Sequence, residues 1–362
     1  MTTESPRQLR PSDLGRGSRR PGVARQLPPW GPWAVLAGAA AFSAAVLSLT
    51  GFQVALFVVL TVVVLILTVY TWARVVEGPR RAFDRLVTVV VSSAFLVALT
   101  PLVSVIVTVL QNGIARFDAQ FFTWSMRGVV GEGGGAYHAI LGTLIVTGLA
   151  TLMSVPIGLM AAVYLVEYGR GRLARAITFF VDVMTGIPSI VAGLFAYALF
   201  VIFFGPGVRM GFAGAVALSV LMIPVVVRST EEMLRLVPNE LREAALALGV
   251  PKWRTVTRVV IPTAIAGIGT GVTLAIARVI GETAPLLIVA GTTTAVNLNP
   301  FDNSRMATLP VFAYYSYVSP GVPRDPYIDR AWAAALTLIV IVMALNVAAR
   351  LISRLFAPKT AL

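Results

Sequence analysis

Cysteine is absent from this chain and histidine occurs once, at His138. Disulfides, thiolate chemistry and multi-histidine metal sites are thereby excluded. Charge is scarce as well: Asp, Glu, Lys and Arg together make up 12% of the residues against 57% apolar ones, far from the balance of soluble globular domains. No G-x-x-x-x-G-K-[ST] phosphate cradle occurs; Gly133-Gly134-Gly135 lacks both the lysine and the strand-to-helix setting. If ATP drives this protein, another chain binds it. With the single histidine at a loop edge and few acids in the apolar runs, no nucleophile, base and orienting group can be assembled. A polytopic membrane protein without enzymatic machinery is what these absences leave.

The chain then divides by composition. Residues 1–29 hold Arg7, Arg10, Arg16, Arg19, Arg20 and Arg25 among Pro, Gly and Ser, with almost nothing to bury, so a disordered basic tail is expected. Arg19-Arg20 lies too far ahead of the apolar stretch, and too many spans follow, for an export signal. Trp33 to Trp72 would be about 60 Å long as one helix, twice a hydrocarbon core, and must fold back at Gly51-Phe52-Gln53. That makes spans of Trp33 to Thr50 and Val54 to Trp72. Further spans are expected over Val87–Leu110, Ala139–Val166, Ile177–Phe204, Phe212–Val227, Ala264–Val289 and Trp332–Phe356, eight in all. Pro156, Pro188 and Pro224 fall within them, which neighbouring helices can tolerate in a membrane. Between the third and fourth spans, Phe117, Phe121, Phe122 and Trp124 sit in a glycine-rich loop, aromatics suited to an interface or to a simple connector.

The formal charge of +13 follows the loops rather than one face. With the N-terminus inside, 22 of the 29 Lys and Arg residues fall on the cytoplasmic side and 6 outside, so both termini are expected in the cytoplasm. The loop that interrupts the last third of the chain, Pro238 to Pro262, is then cytoplasmic too. It reads as two short helices joined at a glycine. Leu241, Ala244, Ala245 and Leu248 recur at one-face spacing, and Gly249 with Pro251 stops and restarts the chain. Its narrow, alanine-rich apolar face would let another protein approach the helix backbone closely.

Glu243-Ala244-Ala245, three residues, Gly249, nine residues and Val259-Val260-Ile261-Pro262 resemble the EAA loop of bacterial ABC importer permeases. Valine and isoleucine stand where that pattern has isoleucine and leucine. In such permeases the loop fits a cleft on the ATP-hydrolysing subunit, which would make Glu243, Ala244, Ala245, Gly249 and Pro262 coupling residues here.

Inside the membrane, Arg278 and Glu282 are four residues apart and are expected to share a face near the middle of the seventh span. Each charge there costs about 2.5–3.5 kcal/mol, so they either line a path or gate or neutralise one another. Asp182, near the start of the fifth span, has a structural and a functional reading open to it. Gly186-Ile187-Pro188-Ser189-Ile190-Val191 with Gly193-Leu194-Phe195, Gly281-Glu282-Thr283-Ala284-Pro285-Leu286-Leu287 and Thr308-Leu309-Pro310 resemble the A-type permease subunit of the bacterial phosphate-specific transporter. The likeness runs from Val87 to about Phe356. It implies an all-helical type I importer-permease fold over residues 87–362, with the docking loop at 238–262, and a substrate path involving Arg278, Glu282 and Thr283, with Asp182, Pro188 and Ser189 nearby. It also implies partners: a second permease subunit of PstC type, a dimer of PstB-type ATPase subunits and an extracytoplasmic PstS-type phosphate-binding protein, with ATP used by the ATPase and no cofactor bound by this chain. Permeases for sulfate or molybdate, and a membrane scaffold or sensor that transports nothing, are the competing readings.

Such subunits usually have six spans, so residues 30–86 form an added hairpin with a linker. Its two spans are apolar nearly all round and hold no ionisable residue, so they have little with which to line an anion path. A chain beginning near Val75 is expected to insert and to transport at the rate of the full chain when expression is matched. Insertion with transport lost would place the hairpin in the path.

Overall fold

The computed structural model describes residues 28 and 30–356 except Phe52, with no side-chain description for Thr50 and residues 352–356. The basic tail expected over residues 1–29 lies outside the described residues apart from Pro28. Two compact units form, Met1–Ile106 and Val107–Leu362.

In the first unit, α1 (Gly31–Thr50) packs on α2 (Val54–Val76), and the chain reverses at Gly51, whose φ of 100° is one that a side chain would resist. Gly31 lets the Trp72 ring lie close against the start of α1; a Cβ there would be 3.3 Å from the indole. Helix α3 (Pro79–Gly113) begins one short turn later, and Glu77 and Arg85 are joined across that turn by an ion pair of 3.1 Å.

The second unit is built on α5 (Tyr137–Val163), which continues through a π-helical turn to Tyr168, and α8 (Gly211–Arg235). These two helices pack along most of their length, with α11 (Ile261–Val279) against α8 and α14 (Asp325–Phe356) against α11. The core between them is Val146 and Ala150 of α5, Leu218, Met222 and Val226 of α8, and Ala275 and Val279 of α11. Apolar lipid gives helices no reason to leave it, so fit at small residues holds them together. A Cβ at Gly158 would sit 2.8 Å from that of Val226, and one at Gly271 would sit 2.6 Å from that of Ser229.

Among the described residues, seven helices are long and apolar enough to cross a membrane, and a bent pair makes an eighth. The bent pair corrects the expected fifth span. Instead of one helix over Ile177–Phe204, α6 (Arg172–Thr185) and α7 (Ser189–Phe204) meet at 111°. Pro188, expected inside a span, is extended at φ −58° and ψ 137° and stands at the start of α7 instead, a position where its missing N–H leaves no helix bond unmade. The expected seventh span is also two pieces: α11 stops at Val279, and α12 (Ala284–Val289) resumes after Gly281-Glu282-Thr283.

The loop after α3 has a core of its own. A short helix, α4 (Ala119–Thr123), carries Phe121, which is fully buried with its ring edge-on to Phe122. Arg330 of α14 is fully buried as well and donates to the Gly131 and Gly133 carbonyls at 2.8 and 2.7 Å. His138 is buried edge-on to Phe312. Thr308-Leu309-Pro310 opens α13 (Leu309–Val318), and the Leu309 N–H donates to the Thr143 hydroxyl of α5 at 2.7 Å.

Gly142 faces the same crossing, and any Cβ on it would penetrate the Ala307 carbonyl oxygen, whereas Gly148 on the same helix has open space around it. Gly142→Val is expected to destabilise the chain by about 1–3 kcal/mol through overpacking, and Gly148→Val to leave it nearly unchanged. Thermal unfolding of the two variants in detergent checks the contrast.

Candidate functional site

Two groups of the expected site residues are held by different means. The first is the docking segment. α9 (Asn239–Ala247) and α10 (Lys252–Thr255) are two short helices joined at Gly249, whose φ of 76° is left-handed and whose surroundings are open. Pro238 stands just before α9 with extended ψ, one position earlier than a first-turn proline. Glu243 and Ala244 are exposed and Ala245 half-buried, while Leu241, Leu246 and Leu248 are exposed at 42%, 47% and 84%. Apolar side chains left exposed on a polar segment are the kind of surface another protein can cover. Pro262 is exposed in the first turn of α11, after a π-helical turn over Val256–Val260.

Behind that surface is a polar clamp the sequence did not disclose. Arg242, next to Glu243, donates from Nε to the Glu167 carboxylate at 2.9 Å. The rest of its guanidinium donates to the carbonyls of Leu234 and Val237 at 2.8 and 2.6 Å and to Asn239 Oδ1 at 3.1 Å. Lys252 donates to the Glu167 carbonyl and lies over the Tyr168 ring, 4.9 Å from its centre. One arginine thus caps the last carbonyls of α8, orients α9 and ties both to the end of α5. The pair is mostly out of water, with side chains 15% and 7% exposed. A signal did exist: Glu167 is a lone acid at the end of an apolar run, where a cation is the expected companion.

The second group is dispersed around the two helix breaks. Arg278 is exposed in the last turn of α11, Glu282 is half-buried in the break and Thr283, half-buried, precedes α12. The expectation that Arg278 and Glu282 share one helical face is therefore overturned. The helix ends between them at Val279, whose carbonyl accepts from the Glu282 N–H at 3.1 Å in a turn, and no ion pair joins the two. Four-residue spacing puts side chains together only where the helix is unbroken. Ser189 is half-buried at the start of α7, and Pro188 is exposed. The two resembling strings do meet: Gly193 of α7 lies against α12, where a Cβ would come within 2.6 Å of Pro285 Cα.

Asp182 belongs to neither group. It is exposed on α6 and pairs with Arg228 of α8, which also bonds Glu231 at 2.8 Å; Glu231, buried, accepts from Arg235 at 2.5 Å. This chain of alternating charge links α6 to the end of α8 that leads into the docking segment. Among the described residues no group of His, Asp and Glu is placed to hold a metal ion.

Gly249→Val is expected to strain the left-handed turn and reduce retention of an ATPase partner on the purified permease, with insertion unchanged, whereas Gly249→Asn, which adopts that conformation more readily, keeps most of it. Arg242→Ala should expose α9 more than Glu167→Gln does, because the arginine makes three further bonds to Leu234, Val237 and Asn239. Loss of amide hydrogen-exchange protection over residues 239–250 measures that order; equal effects would reduce the clamp to the ion pair alone.

Residues 154–362 match the model of a family described as binding-protein-dependent transport system inner membrane component. A phosphate transport system permease protein, PstA 1, of Mycobacterium tuberculosis is 49% identical over 276 residues, covering 75% of this chain and 89% of that protein. PstA of Mycobacterium leprae is 48% identical, covering 75% and 89%, and PstA of Pasteurella multocida is 42% identical, covering 68% and 86%. Kinship of that extent, carried by a chain whose helices cross the membrane several times and whose polar loop presents the EAA pattern outward, makes this protein a multi-pass inner-membrane permease of the binding-protein-dependent transport family, in its PstA branch.

Proposed function

We propose that this chain is a permease subunit of an ATP-driven inorganic phosphate importer, forming part of the translocation path and docking the ATPase through residues 238–262. The observation that carries the docking role is the division of labour in that segment: Arg242 and Lys252 anchor it from behind while Leu241, Leu246 and Leu248 remain exposed in front. A surface loop held this firmly can transmit a push from a partner instead of absorbing it. Phosphate is favoured over sulfate or molybdate, and transport over a scaffold role, by the names of the relatives, all of them phosphate transport permeases.

In this reading ATP is hydrolysed on a separate PstB-type subunit pair, a PstC-type permease completes the path and a PstS-type protein delivers phosphate from outside. This chain binds no cofactor of its own. Both termini and the docking segment lie in the cytoplasm, in keeping with the excess of Lys and Arg on that side.

The path runs past the break at Gly281-Glu282-Thr283. Irregular backbone within a membrane persists only where protein covers it or water reaches it. Arg278, exposed on the isolated chain and within an apolar run, needs an anion, water or a partner subunit. Its guanidinium offers a fork of donors to phosphate oxygens. Glu282 accepts the acidic hydrogen that phosphate keeps at neutral pH and sulfate lacks, and a site requiring that hydrogen bond rejects sulfate strongly. Since no ion pair joins them, substitutions at the two positions report separately.

Arg278→Ala should abolish phosphate uptake by cells. Glu282→Gln, which keeps size and adds a donor, should lower phosphate uptake and weaken the exclusion of sulfate. Normal uptake with sulfate still excluded in Glu282→Gln would remove the carboxylate as the selecting group and assign selection to the extracytoplasmic binding protein.

A further inference from the structure

The N-terminal unit takes no part in the reading above, yet it contains a cavity with two contrasting halves. At the turn between α2 and α3 a polar hollow of about 380 Å³ is lined by Glu77, Arg81, Asp84, Arg85 and Thr88. An apolar groove of about 290 Å³ runs from it between Leu36 of α1, Leu65 and Val69 of α2, and Val89 and Leu96 of α3. Arg85 and Thr88 line both, so the two halves adjoin. Trp33 stands on the groove wall, an aromatic of the kind that sits at headgroup level.

The charges in the polar half decide what fits. Glu77 accepts two bonds from Arg85, of 3.1 and 3.2 Å. Arg81 and Asp84 are neighbours on the surface of α3, three residues apart, both exposed and neither in an ion pair with a described residue. Among the described residues the hollow therefore offers one unpaired cation beside one unpaired anion, next to a groove lined mostly by apolar side chains. A soluble anion would use only the cation and would meet the carboxylate.

We propose that this composite cavity binds a phospholipid of the phosphatidylethanolamine type, with its phosphate on Arg81, its ammonium on Asp84 and one acyl chain in the apolar groove. Phosphate and ammonium in one headgroup match the neighbouring opposite charges, and the glycerol junction falls where the polar and apolar halves meet. A choline headgroup has no N–H to donate to Asp84. A glycerol headgroup has no cation for it at all. The site lies where α2 ends and α3 begins, at the end of two helices long and apolar enough to span, and headgroups lie at the ends of spans.

The experiment is native mass spectrometry of the full chain in detergent, titrated with equal amounts of phosphatidylethanolamine, phosphatidylglycerol and phosphatidylcholine carrying the same acyl chains. Phosphatidylethanolamine should be retained preferentially. Asp84→Asn should lower its preference over phosphatidylglycerol by about tenfold or more, the equivalent of one charge-assisted hydrogen bond. Arg81→Gln should lower retention of both, and Ser92→Phe, which fills the groove from α3, should lower retention of all three. Soluble glycerophosphoethanolamine should compete poorly, since it leaves the groove empty. Preference for phosphatidylglycerol that Asp84→Asn leaves unchanged would overturn the headgroup assignment. Retention of phosphatidylethanolamine only in a chain lacking residues 1–27 would overturn the site, giving the cavity to the chain's own tail.

Discussion

Helices surrounded by lipid gain little by exchanging lipid for one another, because both environments are apolar; only close fit and buried hydrogen bonds hold them. The second unit of this permease depends on that constraint. Glycine or alanine stands at several of the contacts among α5, α8 and α11; at Gly158 and Gly271 a single added carbon would collide with the facing helix, and at Gly142 with the Ala307 carbonyl. The packing that results is dense enough that α8 is mostly buried within its own chain. It leaves no room in the core for paired charges, which accordingly collect at the helix ends.

Those ends are where the ionic contacts become useful. Glu231 is buried between two arginines, and Arg228 carries the connection across to Asp182 on α6. Glu167 and Arg242 do the same between α5 and α9. A segment whose apolar side chains stay exposed is not fixed by burying them. Polar bonds from behind fix it instead, and Arg242 suits the task because its planar fork reaches a carboxylate, two carbonyls and a side-chain amide oxygen at once. The arrangement ties the orientation of α9 to the ends of α5 and α8; in the docking role proposed above, that is the connection a transporter needs between an external motor and its own bundle.

The two breaks in otherwise apolar runs share a physical logic. At Pro188 and at Gly281-Glu282-Thr283 the backbone leaves the helix, exposing N–H and C=O groups that lipid cannot satisfy. The pieces that follow, α7 and α12, pack against each other through Gly193 and Pro285. Irregular backbone is thus concentrated in one part of the bundle, together with the acidic residue Glu282.

Much of this was legible in the amino-acid sequence. Its hydropathy set the number of spans, because about twenty apolar residues have essentially one use, and the left-handed turn at Gly249 followed from a glycine between two short helical patterns. The one-face spacing of Leu241, Ala244, Ala245 and Leu248 on α9 was readable for the same local reason. Other features were decided only by tertiary structure. Whether Arg278 and Glu282 share a face depended on whether the helix ran on past Val279, and hydropathy cannot distinguish a continuous apolar helix from one that stops and restarts. Pro188 breaks its span where Pro156 and Pro224 are absorbed into theirs. A proline costs every helix the same N–H, and neighbouring helices determine whether the freed carbonyl is satisfied in place or the chain turns away. The bond between Glu167 and Arg242 spans 75 residues of sequence, and local pattern carries no information about which distant charges the fold brings within reach.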